Sequence, residues 1–343
     1  RLEKIQEKAV AFVVDECHRA VTPAKKRELD GFFKNAYWYG FTGTPIFEIN
    51  ARAELGNLAR TTKDQYGRCL HQYTVKEAIN DKAVLGFQVE YIHTISEETL
   101  DEIIEHENPG KEARLLSPIE KERLLPRSYY ESEAHRIQVV DFIINKSRRK
   151  LNMKAGYAYG AMLTVPSISI AQAYYDLFQS IIAGNGPIQV SEKTKRLLPD
   201  FPKVAITYSI SENEEASIHN QTKMTEALID YNELYGTSYS LDQLRAYNQN
   251  INARLARKAQ KYQVRAEQID IIIVVDRLLT GFDAPCISTL FIDRPPMRPH
   301  DLIQAFSRTN RLFDAEKPYG QIVTFQMPHL FEEAVDRKST RLN

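Results

Sequence analysis

Two adjacent acids, Asp15 and Glu16, stand directly after an apolar run and are the first candidates for chemistry in this chain. Residues 9–14 are all apolar and include three valines, a pattern typical of a strand that is buried on both faces. Such a strand would deliver both carboxylates to the carboxyl edge of a sheet, where open α/β folds bind ligands. In a site that hydrolyses a nucleotide, the first acid can hold Mg²⁺ and the second can polarise the attacking water. A core strand that runs into a solvated acidic turn is the alternative.

Gln304, Arg308 and Arg311 form a second candidate group, in a segment at 300–311 that we predict to be a helix. Residues that are three or four positions apart share one face of a helix. Two guanidinium groups on one face can bind an anion bidentately, and near a domain boundary they could neutralise a γ-phosphate held by the other domain. A surface helix with paired arginines is the alternative.

A turn of small residues, Thr42, Gly43 and Thr44, follows the aromatic-rich run at 36–41. Hydroxyl side chains placed directly after a buried strand can lie beside a phosphate and sense it through hydrogen bonds. The same residues, followed by Pro45, are equally typical of an ordinary turn.

A second turn contains Gly281 and Asp283 and follows the most apolar stretch of the chain, 269–275. Gly281 would allow close approach of the backbone to a ligand, and Asp283 could accept a ribose hydroxyl or couple nucleotide state to a DNA contact. A tight turn that needs Gly and Asp is the alternative.

Alternating strands and helices must position these groups. We predict strands at 9–14, 36–41, 88–95, 157–165, 203–209, 269–275, 288–293 and 321–325, and helices at 75–80, 131–150, 171–180 and 300–311. This alternation predicts an α/β fold with parallel sheets. We expect a first domain at 1–86, a second at 87–326 with a surface insertion at 96–127, and a tail at 327–343. Because a core strand at the very start leaves its sheet without neighbours, we also expect the first domain to be incomplete at its N-terminus.

The composition is that of an ordinary soluble globular protein, with 43% hydrophobic and 26% charged residues. Lys plus Arg equal Asp plus Glu at 45 each, so overall charge gives no argument for nucleic-acid binding. The three cysteines show no CxxC spacing, which argues against a disulfide framework or a zinc site built on cysteines. The sequence has no run of 18 apolar residues and no signal peptide. We therefore expect a cytoplasmic protein without a membrane partner.

Two basic runs, at 148–150 and 254–265, are candidate contacts to nucleic-acid phosphate. Cations at the end of a helix and solvated basic faces are common on any protein. We favour those interpretations for both runs.

Taken together, four motifs occur in the order found in superfamily 2 helicases and translocases. Asp-Glu-Cys-His at 15–18 resembles the Walker B or DEAH-type box, and 41–45 resembles the third motif. Residues 280–283 resemble the fifth motif and 304–311 the sixth. The resemblance covers nearly the whole chain and implies two RecA-like motor domains.

Within that superfamily the chain most resembles the R subunit of type I restriction enzymes. The similar segments are 73–81, 279–285, 289–293 and 304–311. Ser307 and Asn310 stand where general helicases have Gly, a difference that favours the restriction family.

The resemblance implies an ATP-driven motor that moves double-stranded DNA and works with modification (methyltransferase) and specificity subunits. It implies the following roles: Asp15 binds Mg²⁺ through water, Glu16 activates water, His18 and 42–44 couple hydrolysis to movement, Arg308 and Arg311 are arginine fingers, and Gly281, Asp283 and Gln304 contact the nucleotide. The sequence contains no G-x-x-x-x-G-K-[ST] loop, so we expect residues 1–343 alone not to hydrolyse ATP. Another superfamily 2 helicase and a non-hydrolysing DNA-binding scaffold are the alternatives.

Overall fold

A computed structural model describes residues 2–48, 51–208, 215–279, 282–297 and 299–339. The chain divides into two compact units, Arg1–Thr74 and Val75–Asn343, which are described here one at a time. The boundary at 86 remains a prediction: the division falls after Thr74, whereas the first strand of the second sheet begins at Gly86.

Unit 1 is built on two parallel strands, β1 (Ala9–Val14) and β2 (Asn35–Gly40). Its helices are α1 (Leu2–Gln6), α2 (Cys17–Ala20), α3 (Pro23–Phe32) and α4 (Thr62–Tyr66). Thr22 caps α3 by accepting the backbone N–H of Lys25, and Pro23 occupies the first helical turn, where a missing N–H costs nothing. The strands predicted at 9–14 and 36–41 both form, and the first of them ends at the two acids.

Strand β1 is not buried on both faces, contrary to the prediction. Phe12 stacks on Trp38 of β2 at 4.2 Å between ring centroids, and the Trp38 indole N–H donates to Asp30 of α3 at 2.6 Å. The opposite face is open, with Val13 70% and Tyr37 59% exposed. The apolar run is explained by β propensity together with packing on one face, because α3 covers only the side that carries Phe12 and Trp38.

Unit 2 contains a six-stranded parallel sheet of order β3-β8-β7-β4-β6-β5. The strands are β3 (Gly86–Tyr91), β4 (Gly160–Thr164), β5 (Val204–Thr207), β6 (Ile271–Val274), β7 (Ile287–Ile292) and β8 (Tyr319–Thr324). The helices before β4 are α5 (Val75–Asn80), α6 (Glu97–Glu107), α7 (Pro118–Leu124), α8 (Arg127–Tyr130) and α9 (Glu133–Asp141). The later helices are α10 (Ile168–Ile182), α11 (Glu192–Leu197), α12 (Glu215–Tyr235), α13 (Leu244–Ala256), α14 (Pro299–Phe306) and α15 (Pro328–Ser339).

The core of unit 2 lies on both sides of this sheet. Every residue of β4, β6 and β7 is buried, as continuous apolar runs in a parallel sheet require. Strand β6 pairs on both edges, with β4 and β5, so the prediction of an interior strand at 269–275 is confirmed. Within the described ranges, the helices lack the length and apolarity needed to cross a bilayer.

Several helices begin or end at residues other than those predicted from the sequence. The predicted helix at 131–150 is α9 followed by one π-helical turn, Phe142–Lys146, so the basic run at 148–150 lies beyond it. The predicted surface insertion contains α6 and α7 and buries Ile104 completely. Helix α15 forms in the predicted tail and buries Phe331.

In the basic run at 254–265, Arg254 and Arg257 are internal, which corrects both interpretations for these two residues, whereas Lys258 and Lys261 are exposed. Arg254 is 1% and Arg257 5% exposed. Arg254 donates to the Glu267 carboxylate at 2.7 Å, and Arg257 donates to the carbonyl of Ala158 at 2.7 Å. These side chains hold the connection from α13 to β6 inside unit 2.

Candidate functional site

The acidic pair stands where β1 ends, as predicted. Backbone hydrogen bonds continue the parallel ladder past the strands: Phe41 N–H donates to Val14 at 2.8 Å and Cys17 N–H donates to Phe41 at 2.9 Å. Glu16 adopts a left-handed conformation (φ 47°), and Asp15 Oδ1 accepts its N–H at 2.8 Å. The chain therefore turns sharply at Glu16, beside the turn that follows β2.

His18 joins the acids to that neighbouring turn. Its ring is 8% exposed, and Nδ1 lies 2.8 Å from Thr42 Oγ1 and 3.4 Å from Glu16 Oε2. Thr42 Oγ1 also accepts the N–H of Thr44 at 3.0 Å. Glu16, His18, Thr42 and Thr44 thus form one connected polar group at the carboxyl ends of two parallel strands.

Glu16 Oε2 is buried and accepts no hydrogen bond from the described residues. A buried carboxylate oxygen without a donor is costly unless a water or cation satisfies it. The donor set, two carboxylates at one strand end, is of the oxygen type that Mg²⁺ and its bound waters prefer. The residues present therefore fit a hydrated Mg²⁺ ion and an activated water.

Arg52 and Gln65 stabilise the segment that contains His18 through hydrogen bonds, and neither residue was predicted from the sequence. Arg52 donates to the carbonyl of His18 and, at 2.6 Å, to Gln65 Oε1, while Gln65 Nε2 donates to the carbonyl of Val21 at 2.7 Å. Burial lowers the pKa of Arg52. The hydroxyl of Tyr66 donates to the carbonyl of Cys17 at 3.3 Å. Burial raises the pKa of Tyr66 to about 12.

Gly40 and Gly43, which lie near this site, differ in how much space a side chain would have. A Cβ on Gly40 would lie 2.8 Å from Cys17 Sγ, so the close approach of β2 to α2 requires glycine. A Cβ on Gly43 would meet nothing within 4 Å. The structure therefore gives Gly43 no packing role.

In unit 2, Asp283 lies between two basic side chains. Its Oδ2 accepts from Lys258 Nζ at 2.7 Å, and its Oδ1 lies 3.7 Å from Arg311 Nε. The hydrogen bond from Lys258 lowers the pKa of Asp283. Gly281 lies outside the described residues.

Arg308 and Arg311 do not share a helical face with Gln304, contrary to the prediction. Helix α14 ends at Phe306. Ser307 N–H still donates four residues back, to Ile303 at 3.0 Å, but Arg308 and Thr309 donate only three residues back, to Ala305 at 3.1 Å and Phe306 at 3.0 Å. The Ser307 hydroxyl donates to the Ile303 carbonyl at 2.8 Å, a contact that competes with helix continuation. The helix therefore tightens into a turn that carries both arginines.

The two arginines differ in how they are held. Arg308 donates to the carbonyls of Gln304, at 3.1 Å, and of Phe282. Arg311 is 41% exposed, and its buried Nε has no hydrogen-bond partner among the described residues. Arg308 is therefore tied into the protein, whereas Arg311 keeps donors for an anion.

Lys317 stabilises the segment that carries Arg311 by donating hydrogen bonds, and this residue was not predicted from the sequence either. It is 2% exposed, and Nζ donates to the carbonyls of Pro285 (2.7 Å), Ile287 (2.9 Å) and Arg311 (3.0 Å). Burial lowers the pKa of Lys317 to about 8. A polar residue between a loop and a strand gave no signal for this role in the sequence.

Two family descriptions match the chain. Residues 1–113 match the SWI2/SNF2 ATPase model, and residues 157–327 match type I restriction enzyme subunit R domain 3. This chain belongs to the family of type I restriction enzyme R subunits. Both units combine helices with parallel strands, which confirms the predicted α/β class with parallel sheets.

Two named relatives of more than 30% identity support the family, and one solved structure is similar at lower identity. An endonuclease subunit of type I restriction enzyme SauMRSORF196P from Staphylococcus aureus is 33% identical over 330 residues, 95% of this chain and 31% of that protein. An endonuclease subunit of type I restriction enzyme SsaAORF53P from Staphylococcus saprophyticus is 34% identical over 331 residues, with the same coverage. A fragment structure of an HsdR subunit from Vibrio vulnificus aligns over 94% of this chain and 44% of that chain, at 14% identity and a TM-score of 0.45. The chain spans about a third of the length of the named relatives.

Proposed function

We propose that this chain is the motor portion of a type I restriction enzyme R subunit. It couples ATP hydrolysis to translocation of double-stranded DNA, which leads to cleavage by a nuclease domain outside this chain. The observation that carries the proposal is the polar group in which His18 joins Glu16 to Thr42. An acid that lies 3.4 Å from a histidine ring, which in turn hydrogen-bonds to the turn after the neighbouring strand, can pass on a change at the phosphate.

In this proposal Asp15 binds Mg²⁺ through water and Glu16 is the general base. When bound, Mg²⁺ would neutralise phosphate charge, and ATP would supply the free energy for movement. Glu16 Oε2, buried and without a donor from the described residues, is suited to accept a proton from an attacking water. His18 at 3.4 Å restrains the Glu16 side chain near that position.

The coupling role falls to His18, Thr42 and Thr44. Thr42 Oγ1 is shared between the His18 ring and the N–H of Thr44. A displacement of Glu16 or its water would alter both of these hydrogen bonds, and the turn after β2 would then change position. Gly43 remains a proposed nucleotide contact, with open space around its backbone.

Arg311 and Arg308 are the proposed arginine fingers of unit 2. Arg311 keeps donors for a phosphate, while Arg308 is anchored by two carbonyls and fixes the turn. Asp283 holds Arg311 by charge, and Gln304 and Gly281 remain proposed nucleotide contacts. A guanidinium there would stabilise charge that develops as the phosphoryl group departs.

The proposed partners are double-stranded DNA and the modification and specificity subunits, and the proposed location is the cytoplasm. The named relatives are endonuclease subunits of type I restriction enzymes, which favours this assignment over a different helicase. The intact polar group around Glu16 favours hydrolysis over a passive DNA scaffold.

The test is DNA-stimulated ATP turnover by the complete R subunit in its complex, comparing wild type with Glu16→Gln. We expect turnover to fall by about 10²-fold or more, the usual contribution of a general base, with nucleotide binding retained. Glu28→Gln, on the exposed surface of α3, is the matched control and should match wild type. Undiminished turnover of the Glu16→Gln enzyme would refute the proposal.

A further inference from the structure

Two histidines and a buried carboxylate converge in unit 2, away from the residues discussed above. One ring nitrogen each of His93 and His329 and one carboxylate oxygen of Glu122 all lie within 4.8 Å of one another. The two imidazole rings are 4.9 Å apart, centroid to centroid. We propose that this cluster, called the His-Glu clasp, binds a Zn²⁺ ion.

The three side chains come from distant parts of the sequence. His93 follows β3, Glu122 lies on α7, and His329 lies in the first turn of α15, which follows β8. Because β3 and β8 are parallel neighbours, the residues that follow them emerge at the same edge of the sheet. The topology therefore brings two imidazoles together there, with α7 packed against α15.

Neighbouring contacts hold each ligand in place. Next to His93, the Thr94 side chain hydrogen-bonds with His135 Nδ1 at 2.8 Å. Glu122 is 3% exposed and caps α15 by accepting the N–H groups of His329 (2.8 Å) and Leu330 (2.9 Å). A cluster whose backbone is fixed at all three points needs little ordering to bind an ion.

Glu122 retains room for a metal. Its Oε1 accepts the backbone N–H and lies 2.8 Å from Nδ1 of His329, and its Oε2 accepts from Leu330. A carboxylate offers about four lone-pair positions, so one on Oε2 remains. The carboxylate can either bind the metal there or orient the His329 ring, as carboxylates commonly do behind a metal-bound histidine.

The donor set selects the metal. Imidazole nitrogens with one carboxylate suit Zn²⁺, whereas Mg²⁺ and Ca²⁺ prefer oxygen ligands alone. Tetrahedral bonds of about 2.1 Å place ligand atoms roughly 3.4 Å apart. The ligand atoms of the clasp lie within 4.8 Å of one another, and rotation of the exposed His93 ring can bring its nitrogen closer to the other two.

A Zn²⁺ ion here would tie α15 to α7 and to the end of β3. The clasp is a structural element that is independent of nucleotide chemistry. It would hold the helix after the last strand against the sheet, in addition to the Glu122 cap and the burial of Phe331.

The experiment measures Zn²⁺ binding to the complete protein after removal of metals with a chelator, by competition with a chromophoric indicator. Co²⁺ is the second probe, because its visible absorption intensifies on four-coordinate binding. We expect one ion per chain, and at least about 10-fold weaker affinity in His93→Gln and in His329→Gln. His93 is exposed, so its variant keeps the fold, which circular dichroism checks.

His106→Gln is the matched control, because the His106 side chain is 83% exposed and lies 3.3 Å from Glu107, outside the His-Glu clasp. Its zinc affinity should equal that of wild type. Limited proteolysis within α15 should slow with Zn²⁺ in wild type and in His106→Gln, but not in His93→Gln. Equal affinities in wild type and His93→Gln, or the absence of the intense Co²⁺ spectrum, would overturn the proposal.

Discussion

His18 Nδ1 lies 2.8 Å from Thr42 Oγ1, and this hydrogen bond joins the turn after β1 to the turn after β2. The same hydroxyl accepts the N–H of Thr44. One side-chain oxygen therefore determines the positions of two candidate sensing elements.

Thr42→Val keeps the shape of the side chain and removes that oxygen. We expect the free energy of unfolding to fall by about 1–3 kcal/mol, because His18 and the Thr44 N–H lose a part-buried partner. Translocation per ATP hydrolysed should fall further than the ATPase rate, which simultaneous assays of both would measure. Thr42→Ser keeps the hydroxyl and serves as the control; equal effects of the two variants would contradict this role.

Arg311→Ala should lower the DNA-stimulated kcat by about 10³-fold or more while the Kd for nucleotide changes by less than about 10-fold. The reason is that Arg311 keeps donors for an anion. Arg308→Ala should instead weaken stability and turnover together, because Arg308 anchors the turn to Phe282 and Gln304. Stopped-flow nucleotide binding and unfolding curves separate the two outcomes, and a stable, fully active Arg311→Ala enzyme would exclude the finger.

Lys317 makes stability depend on pH in the alkaline range. Its pKa is lowered by burial to about 8, against about 10.4 in the unfolded chain. Between these values the unfolded chain binds more protons, so the free energy of unfolding rises with pH, by at most about 3 kcal/mol, and this contribution is flat below pH 8.

Chemical unfolding at several pH values between 7 and 10.5 measures that dependence. Lys317→Met removes the titrating group at similar length and should lack the rise. Tyrosines and exposed lysines titrate in both proteins, so the difference between the two profiles isolates Lys317. Parallel profiles would show that the buried ammonium does not titrate in this range.

Arg254→Met should destabilise unit 2 by about 1.5–3 kcal/mol, because the charge-assisted hydrogen bonds of a buried guanidinium are removed, while Glu267 is 24% exposed and can still be hydrated. Arg254 contacts Glu267, Asn250 and the ring of Tyr235, whose centroid lies 3.8 Å from its guanidinium carbon. Lys261→Ala, in the same basic run but exposed, should change stability by less than about 0.5 kcal/mol. Thermal and denaturant unfolding test both, and similar losses would contradict the internal role of Arg254.

Local patterns in the sequence were sufficient to predict the strands and their order, but not most of the helices. The run at 269–275, apolar apart from Asp270, gave a buried parallel strand, and the acids after β1 lie at the strand end as expected. Patterns of polar residues were less informative, because a run of bases at 254–265 looks the same in sequence whether its members are solvated or buried. Arg254 and Arg257 are internal because Glu267 and the Ala158 carbonyl accept hydrogen bonds from their guanidinium groups.

The end of α14 shows a different limit. The spacing of Gln304, Arg308 and Arg311 fits a helix, but the Ser307 hydroxyl and a tightening turn end the helix at Phe306. Lys317 could not be assigned from the sequence, because its three acceptors are backbone carbonyls that carry no residue identity.

The close packing around Gly40 also restricts which residues relatives of this chain can carry at this position. Even a methyl group at position 40 would overlap Cys17 Sγ and press on Tyr66, whose ring carbon would lie 3.1 Å away. A chain that acquires alanine at 40 must therefore first shorten residue 17. Positions 17 and 40 should vary as a pair among relatives, so that the residue directly after the acidic pair predicts which side chains the neighbouring strand can end with.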